Sequence, residues 1–305
     1  MLPSPSDDRR FLVRRLVPGE ESLTDAFLAR HAASSLFLRS NLQKSGLVDG
    51  TERYHGTWVG VFAKDLLIAV ACHAWNGNIL LQAPEAAATL VEATLAHSAR
   101  TLIGLVGPWE QIEAARCALA ADRSLRLHRS EILFSLPLEK LVIPDLLSSR
   151  SAICRKAVAA DLPQLLDWRM AFLAEALNQP DTPNAREEER LSLEHSIEDR
   201  GGIFVLDVNG TIVAVSNFSA AISKMVQIGG VWTPPHLRRR GYARSVVAGS
   251  LLIARAEGVE EAVLFTDEQN ISAQHAYAAL GFTRIGEYGM IFFEGEFERP
   301  EEGRL

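Results

Sequence analysis

The chain has 305 residues, 48% of them hydrophobic, enough to bury the core of one large domain or two ordinary ones. Its formal net charge is -7, so the surface as a whole repels nucleic acid and anionic lipid, and a basic cluster on it is a local device. Cys72, Cys117 and Cys154 lie far apart without CxxC spacing; they read as small core residues in a reducing compartment, with no disulfide and no metal expected.

The opening MLPSPSDDRRFLVRRL mixes acids, bases and prolines where a secretory leader needs an apolar run. The longest uncharged apolar run, residues 66–72, is far below the roughly 20 residues of a membrane span. A cytoplasmic protein with no membrane and no nucleic-acid partner is the expectation.

Along the first half, residues 58–63 and 66–73 read as strands about a turn at Lys64-Asp65. A third run, residues 78–82, ends at Ala83-Pro84. The stretch LIGLVGPWEQ (102–111) is a short apolar strand, a turn and a helix start, and residues 131–136 make a closing strand. The second half repeats this pattern. Asp161 and Pro163 open a helix, and residues 185–199 form a second, strongly charged one. Residues 203–207 and 211–219 are strands joined by the hairpin signal Asn209-Gly210. A strand over 225–233 then leads to a helix over 244–257, stopped by Gly258. VLFTDEQ (263–269) is strand and turn again, residues 290–293 close the unit, and an acidic tail over 294–305 reads as frayed.

The two halves therefore read as tandem copies of one α/β (α+β) unit, residues 1–149 and 150–305. Each fits a mixed, mostly antiparallel sheet flanked by helices.

Between the last strand of the second meander and the helix after it lies TPPHLRRRGYAR (233–244). Proline cannot continue a central ladder, so pairing stops at Pro234. Arginines and a glycine then precede a helix whose first N–H groups are unpaired, and this combination binds phosphate. Neither GxxxxGK[ST] nor a GxGxxG after a strand is present, which disfavours nucleotide hydrolysis and dinucleotide binding. The first half has Glu85-Ala86-Ala87-Ala88 after its Ala83-Pro84, with neither arginine nor glycine, and reads as a copy without the site.

The run V-W-T-P-P-x-x-R-R-R-G-Y-A resembles the acyl-CoA motif [QR]-x-x-G-x-[GA] of the GNAT N-acetyltransferase superfamily, with Arg238, Gly241 and Ala243 at its defined positions. Downstream, Asn270, Ala273, Tyr277, Leu280, Gly281 and Phe282 resemble the family's N-x-x-A-x-x-x-Y-x-x-L-G-F, and the likeness spans residues 151–293. It implies two tandem GNAT-like domains: a degenerate N-terminal copy, and a C-terminal copy with a splayed parallel strand pair that binds acetyl-CoA and acetylates an amine. The implied cofactor contacts are the strand end Val231, Trp232 and Thr233, then Arg238 and the N–H groups of Arg239, Arg240, Gly241, Tyr242, Ala243 and Arg244 on the pyrophosphate. Asn270 and Ala273 would lie by the pantetheine, and Tyr277 would donate to the leaving thiolate.

Strand 225–233 carries no carboxylate, which leaves the base open, with Glu175 the candidate for base or amine recognition beside Asp267 and Glu268. No cysteine stands in either motif, so direct attack in a ternary complex is the expected route. The acceptor, a small-molecule or peptide amine, would be bound by residues 172–184 and the turn at 286–289, in a monomer or homodimer. The competing expectations are a sensor that binds acyl-CoA without turnover and a transferase using another acyl donor.

Overall fold

A computed structural model describes residues 11–119, 124–177, 179–198 and 202–295. The chain divides into two compact units, one of residues 1–131 with 287–305 and one of residues 132–286. Among the described residues, no helix is long and apolar enough to cross a membrane.

The first unit begins with β1 (Phe11–Arg15), α1 (Glu21–Ala29) and α2 (Leu36–Ser45). An antiparallel meander follows: β2 (Gly56–Ala63), β3 (Leu66–Ala74) and β4 (Asn78–Gln82). Then come α3 (Ala87–His97), β5 (Gly104–Pro108) and α4 (Trp109–Ala118). β4 and β5 run parallel, as a helical crossover requires. Alternation sends Val59 and Val61 of β2 to one face, where they join Ile79, Leu81, Leu90, Val91, Leu105 and Ile112 in a continuous core.

β6 (Leu125–Pro137) leads into the second unit, where α5 (Asp145–Ser148), β7 (Ile153–Lys156), α6 (Leu162–Leu177) and α7 (Pro183–Glu198) follow. The meander here is β8 (Ile203–Val208), β9 (Thr211–Ile222) and β10 (Met225–Trp232). α8 (Tyr242–Ala256), β11 (Glu261–Asp267), α9 (Ile271–Ala278) and β12 (Thr283–Phe293) complete the order. Asn209 and Gly210 both have positive φ, 52° and 80°, the turn their sequence announces. The seam between β7 and α6 is fixed by Asp161, which accepts from Arg155 Nη1 at 2.7 Å, Arg155 Nη2 at 3.0 Å and Val158 N–H at 2.8 Å.

The sheet order is β1-β2-β3-β4-β5-β12 in the first unit and β6-β11-β10-β9-β8-β7 in the second. The closing strands are thus exchanged. The last strand of the chain pairs antiparallel with β5, Tyr288 to Phe292 against Pro108 to Gly104, and its Ile291 and Phe293 enter the first core. Ile132, Phe134 and Leu136 of β6 enter the second core. The compact units therefore divide at 131/132 and 286/287, not at 149/150 as the sequence pattern places the boundary. An apolar closing strand satisfies either sheet edge equally, so local pattern carries no information on which edge takes it. The acidic tail expected to fray lies, from residue 296, outside the described residues.

Ile291→Ala, far along the chain, should destabilise the first unit by about 2–5 kcal/mol, read as faster amide exchange in β5. The Asp161 carboxyl is held below its usual range by Arg155. A depressed carboxylate contributes stability above its unfolded pKa, and that contribution is lost as pH falls through the folded value. Asp161→Asn should therefore destabilise the protein at pH 7 and make little difference near pH 2, measured by denaturant unfolding at both.

Candidate acyl-transfer site

The parallel ladder between β10 and β11 is short. Met225, Val226 and Gln227 pair with Glu261, Ala262 and Val263, and there the pairing ends although the strands run on to Trp232 and Asp267. A gap opens between them beyond Gln227. On its other edge β10 stays with β9 but slips register between Gly229, opposite Asn217, and Trp232, opposite Val215. One extra residue is thus inserted, a bulge that turns the backbone. Gly230 has φ +53°, and a Cβ on it would fall 2.2 Å from Asn217 Oδ1, so its backbone angle and the space above it both favour glycine.

Pro234 ends the strand, as its sequence requires. Thr233 before it is buried, and its Oγ1 has no hydrogen-bond partner. Residues 233–241 then lead into α8. Gly241, the N-cap, is left-handed at φ +80°. A Cβ there would meet only Leu146 Cδ1 at 3.7 Å and Arg244 Nη2 at 3.8 Å, so backbone conformation, not crowding, calls for glycine. The first helix-closing bond runs from Ser245 N–H to Gly241 O at 3.0 Å. The N–H groups of Tyr242, Ala243 and Arg244 precede it and are the unpaired donors of the helix start. Arg239, Arg240 and Arg244 are exposed, and among the described residues none is paired with a carboxylate. A helix start with unpaired N–H donors and exposed, unneutralised arginines beside it in the chain is chemically suited to an anion.

Arg238 is placed differently from its neighbours. Its Nε donates to Thr233 O at 3.0 Å, its Nη2 meets Glu175 Oε2 at 2.9 Å, and its guanidinium lies 4.8 Å from the centre of the Trp232 ring. Glu175, on α6, is therefore held by a cation. Trp232 also meets Phe172 of α6 edge-on, with ring centres 6.4 Å apart. Val231 is partly buried against the second core.

The residues of the second motif make contacts within their own unit. Asn270 caps α9, accepting from Ala273 N–H at 3.1 Å, so both of those groups are engaged with each other. Tyr277 is buried beside Phe134 and Phe282, with ring centres 6.4 and 5.9 Å away. Gly281, at φ +99°, ends the helix and would bring a Cβ to 2.9 Å from Lys140 O. Asp267 accepts from Gln269 N–H at 2.7 Å and shapes the turn into α9. The side chains over the β10 bulge, Asn217 and Ser219 of β9 and Arg169 of α6, escape a motif reading because they come from two distant elements; their one sequence signal is the glycine pair Gly229-Gly230 inside a strand.

In the first unit the matching gap is filled. Ala83, which precedes Pro84 as Thr233 precedes Pro234, donates its N–H to Gln111 Oε1 of α4 at 2.6 Å. A Cβ on Gly107 would lie 2.7 Å from Leu81 O, so β4 and β5 stay close past their last laddered pair, Leu80 with Val106. Gln82 Oε1 accepts from Ser34 at 2.8 Å and Ser35 at 3.2 Å. The helix turn itself survives, with Ala86 as a left-handed N-cap at φ +60°. His73 is fully buried, approaches Thr101 O at 3.3 Å, and has its pKa pushed down to about 4 by burial, so it is a neutral packing residue at pH 7.

These features define a two-unit α/β protein with one open cleft between splayed parallel strands. Its fold is shared with solved structures across most of the chain. A tandem GNAT protein from the clavulanic acid biosynthesis pathway is 12% identical, covers 96% of this chain and 100% of its own, and superposes with TM-score 0.57. A GCN5-related N-acetyltransferase from Sphaerobacter thermophilus is 18% identical, with 95% and 96% covered and TM-score 0.58. A Drosophila protein is 14% identical, with 93% and 99% covered and TM-score 0.63. No curated protein matches the sequence. Residues 162–282, the segment that holds the cleft, match the acetyltransferase (GNAT) family model.

Gly241→Ala should lower stability by about 1–2 kcal/mol through its φ alone, while Ala86→Gly, relieving the same conformation in the first unit, should raise it by up to about 1 kcal/mol. Denaturant midpoints of the two variants check both signs.

Proposed function

We propose that this protein is an N-acyltransferase that moves an acetyl group from acetyl-CoA to the amine of a small molecule or peptide, using the cleft of the second unit. The observation that carries this reading is the early end of the β10–β11 ladder beside a helix start crowded with unpaired arginines.

The donor's charge distribution fits these residues. Its pyrophosphate matches the N–H groups at the start of α8 and the guanidiniums of Arg239, Arg240 and Arg244. Its uncharged arm matches the gap between β10 and β11. Backbone donors at Val231 and Thr233, on the strand edge that has left its neighbour, are placed to stabilise an oxyanion at the thioester carbonyl. The amine nitrogen attacks that carbon, the C–S bond breaks, the thiolate takes a proton and the new ammonium gives one up. Tyr277 is our candidate for the proton to sulfur. Glu175, bound to Arg238, fits a role in shaping the cleft wall better than a role as base. We place the reaction in the cytoplasm, which suits three free cysteines, and assign the first unit no acyl-CoA of its own, because Gln111 occupies the matching backbone donor.

Thiol release from acetyl-CoA across a panel of amines, with calorimetry of CoA binding, tests the proposal. Binding without turnover on any amine would turn the reading to an acyl-CoA sensor, and absence of binding would remove both. The double charge reversal Arg240→Glu with Arg244→Glu, at exposed positions, should weaken CoA binding at least about tenfold without changing the melting temperature much. Tyr277→Phe, which keeps the ring in place, should lower kcat by about tenfold or more while leaving the KM for acetyl-CoA within about twofold.

A further inference from the structure

The two faces of the second unit's sheet are chemically unlike at the cleft. On the α8 side, Val226 and Ile228 of β10 pack with Val246, Val247 and Leu251. Alternation puts Gln227 on the opposite face, the one α6 covers. A donor anchored at the α8 N-terminus enters the gap from the first face, so an acceptor must approach the reacting carbon from the second.

That second face is lined by polar side chains. Gln227 is 3% exposed and its Nε2 has no partner. Asn217 lies over Gly230 with its Oδ1 2.2 Å from where a Cβ would be, and its amide makes no hydrogen bond among the described residues. Ser219 Oγ would crowd a Cβ on Gly229 at 2.9 Å and donates to Gln227 O at 3.4 Å. The bulge has two glycines because these polar side chains occupy the space above it. Arg169 of α6 reaches the same place, its Nη1 3.9 Å from the Gly230 Cβ position. Among the described residues its hydrogen bonding is from Nε alone, to Glu189 Oε2 of α7 at 2.9 Å, and its guanidinium lies 5.6 Å from the centre of the Phe172 ring, which leaves the terminal nitrogens available to donate.

An unpaired buried amide donor has lost its water and has a partner to gain, an oxygen. A guanidinium with two free nitrogens is suited to a carboxylate. Glu189 is held by Arg169 and Glu175 by Arg238, so neither is free to meet a second positive charge on an acceptor.

Resting on the acyl-transfer reading above, we infer that the acceptor is an amine carrying a nearby carboxylate, an amino-acid-type substrate, whose carboxylate is held by Arg169 over the bulge. Phe172 and Trp232 form the apolar wall beside it. Polyamines and aminoglycosides do not complement this face.

The test compares kcat/KM for matched acceptors at equal free-amine concentration: phenylalanine with its methyl ester and with 2-phenylethylamine, and lysine with cadaverine. The carboxylate-bearing member of each pair should be preferred by about tenfold or more. Arg169→Met should erase that preference through the acceptor's KM, and Arg169→Lys should restore part of it. Glu189→Gln, which frees the guanidinium, should increase the preference, a change opposite in sign and not produced by loosened folding. Equal rates within each pair, or a preference unchanged in both Arg169 variants, overturns the inference and leaves acyl transfer standing. Acetyl-CoA binding with no turnover on any of these or the wider amine panel removes the acyl-transfer reading and this one with it.

Discussion

Everything that sets the second unit apart follows from what its parallel strands do beyond their last paired residues. β10 and β11 hold together from Met225 to Gln227 and then part, because a bulge at Gly229-Gly230 rotates β10 and two prolines end it. A parallel pair that stopped there without a ligand would be a liability, since freed backbone donors in a buried position are costly. The structure surrounds the opening with groups that want an anion at one end and an oxygen at the other. Arg239, Arg240 and Arg244 are unneutralised at the helix start, while Thr233 Oγ1 and Gln227 Nε2 are buried without partners.

The first unit shows what the same architecture does when nothing is to be bound. Its strands stay together past Leu80 and Val106, Gln111 satisfies the N–H of Ala83, and a short turn capped by Ala86 replaces the arginine loop. Ala86 pays a conformational strain that Gly241 avoids, which indicates that the left-handed turn belongs to the fold and the arginines to the ligand. Two sheets of one topology differ in a single respect, whether the gap beside the proline is open or filled by a side chain of the chain itself.

Arginine has three distinct uses within this small region. Arg238 stays within the protein, tying Glu175 to Thr233 O and covering Trp232. Its neighbours face solvent with their charge unopposed. Arg169 is half committed, held in place by Glu189 through one nitrogen while the others remain available. A contiguous run of like residues thus contains both scaffold and ligand-facing charge, and only the position of the carboxylates separates them.

Much was legible in the sequence because it is local. The strand and helix alternation, the Asn209-Gly210 turn, the stop at Pro234, the glycine at the α8 cap and the Asn270 cap of α9 each follow from a few adjacent residues and the backbone angles they permit. The tandem organisation and the difference between Arg238-Arg239-Arg240 and Glu85-Ala86-Ala87 could be read for the same reason. Tertiary structure alone decided the rest. It assigned β12 to the first unit and β6 to the second, since an apolar strand fits either edge; it paired Glu175 with Arg238 across 63 positions; and it gathered Asn217, Ser219 and Arg169 over one bulge. Which charges are neutralised, and which buried donors are left wanting, depends on distances in space that spacing along a chain does not encode.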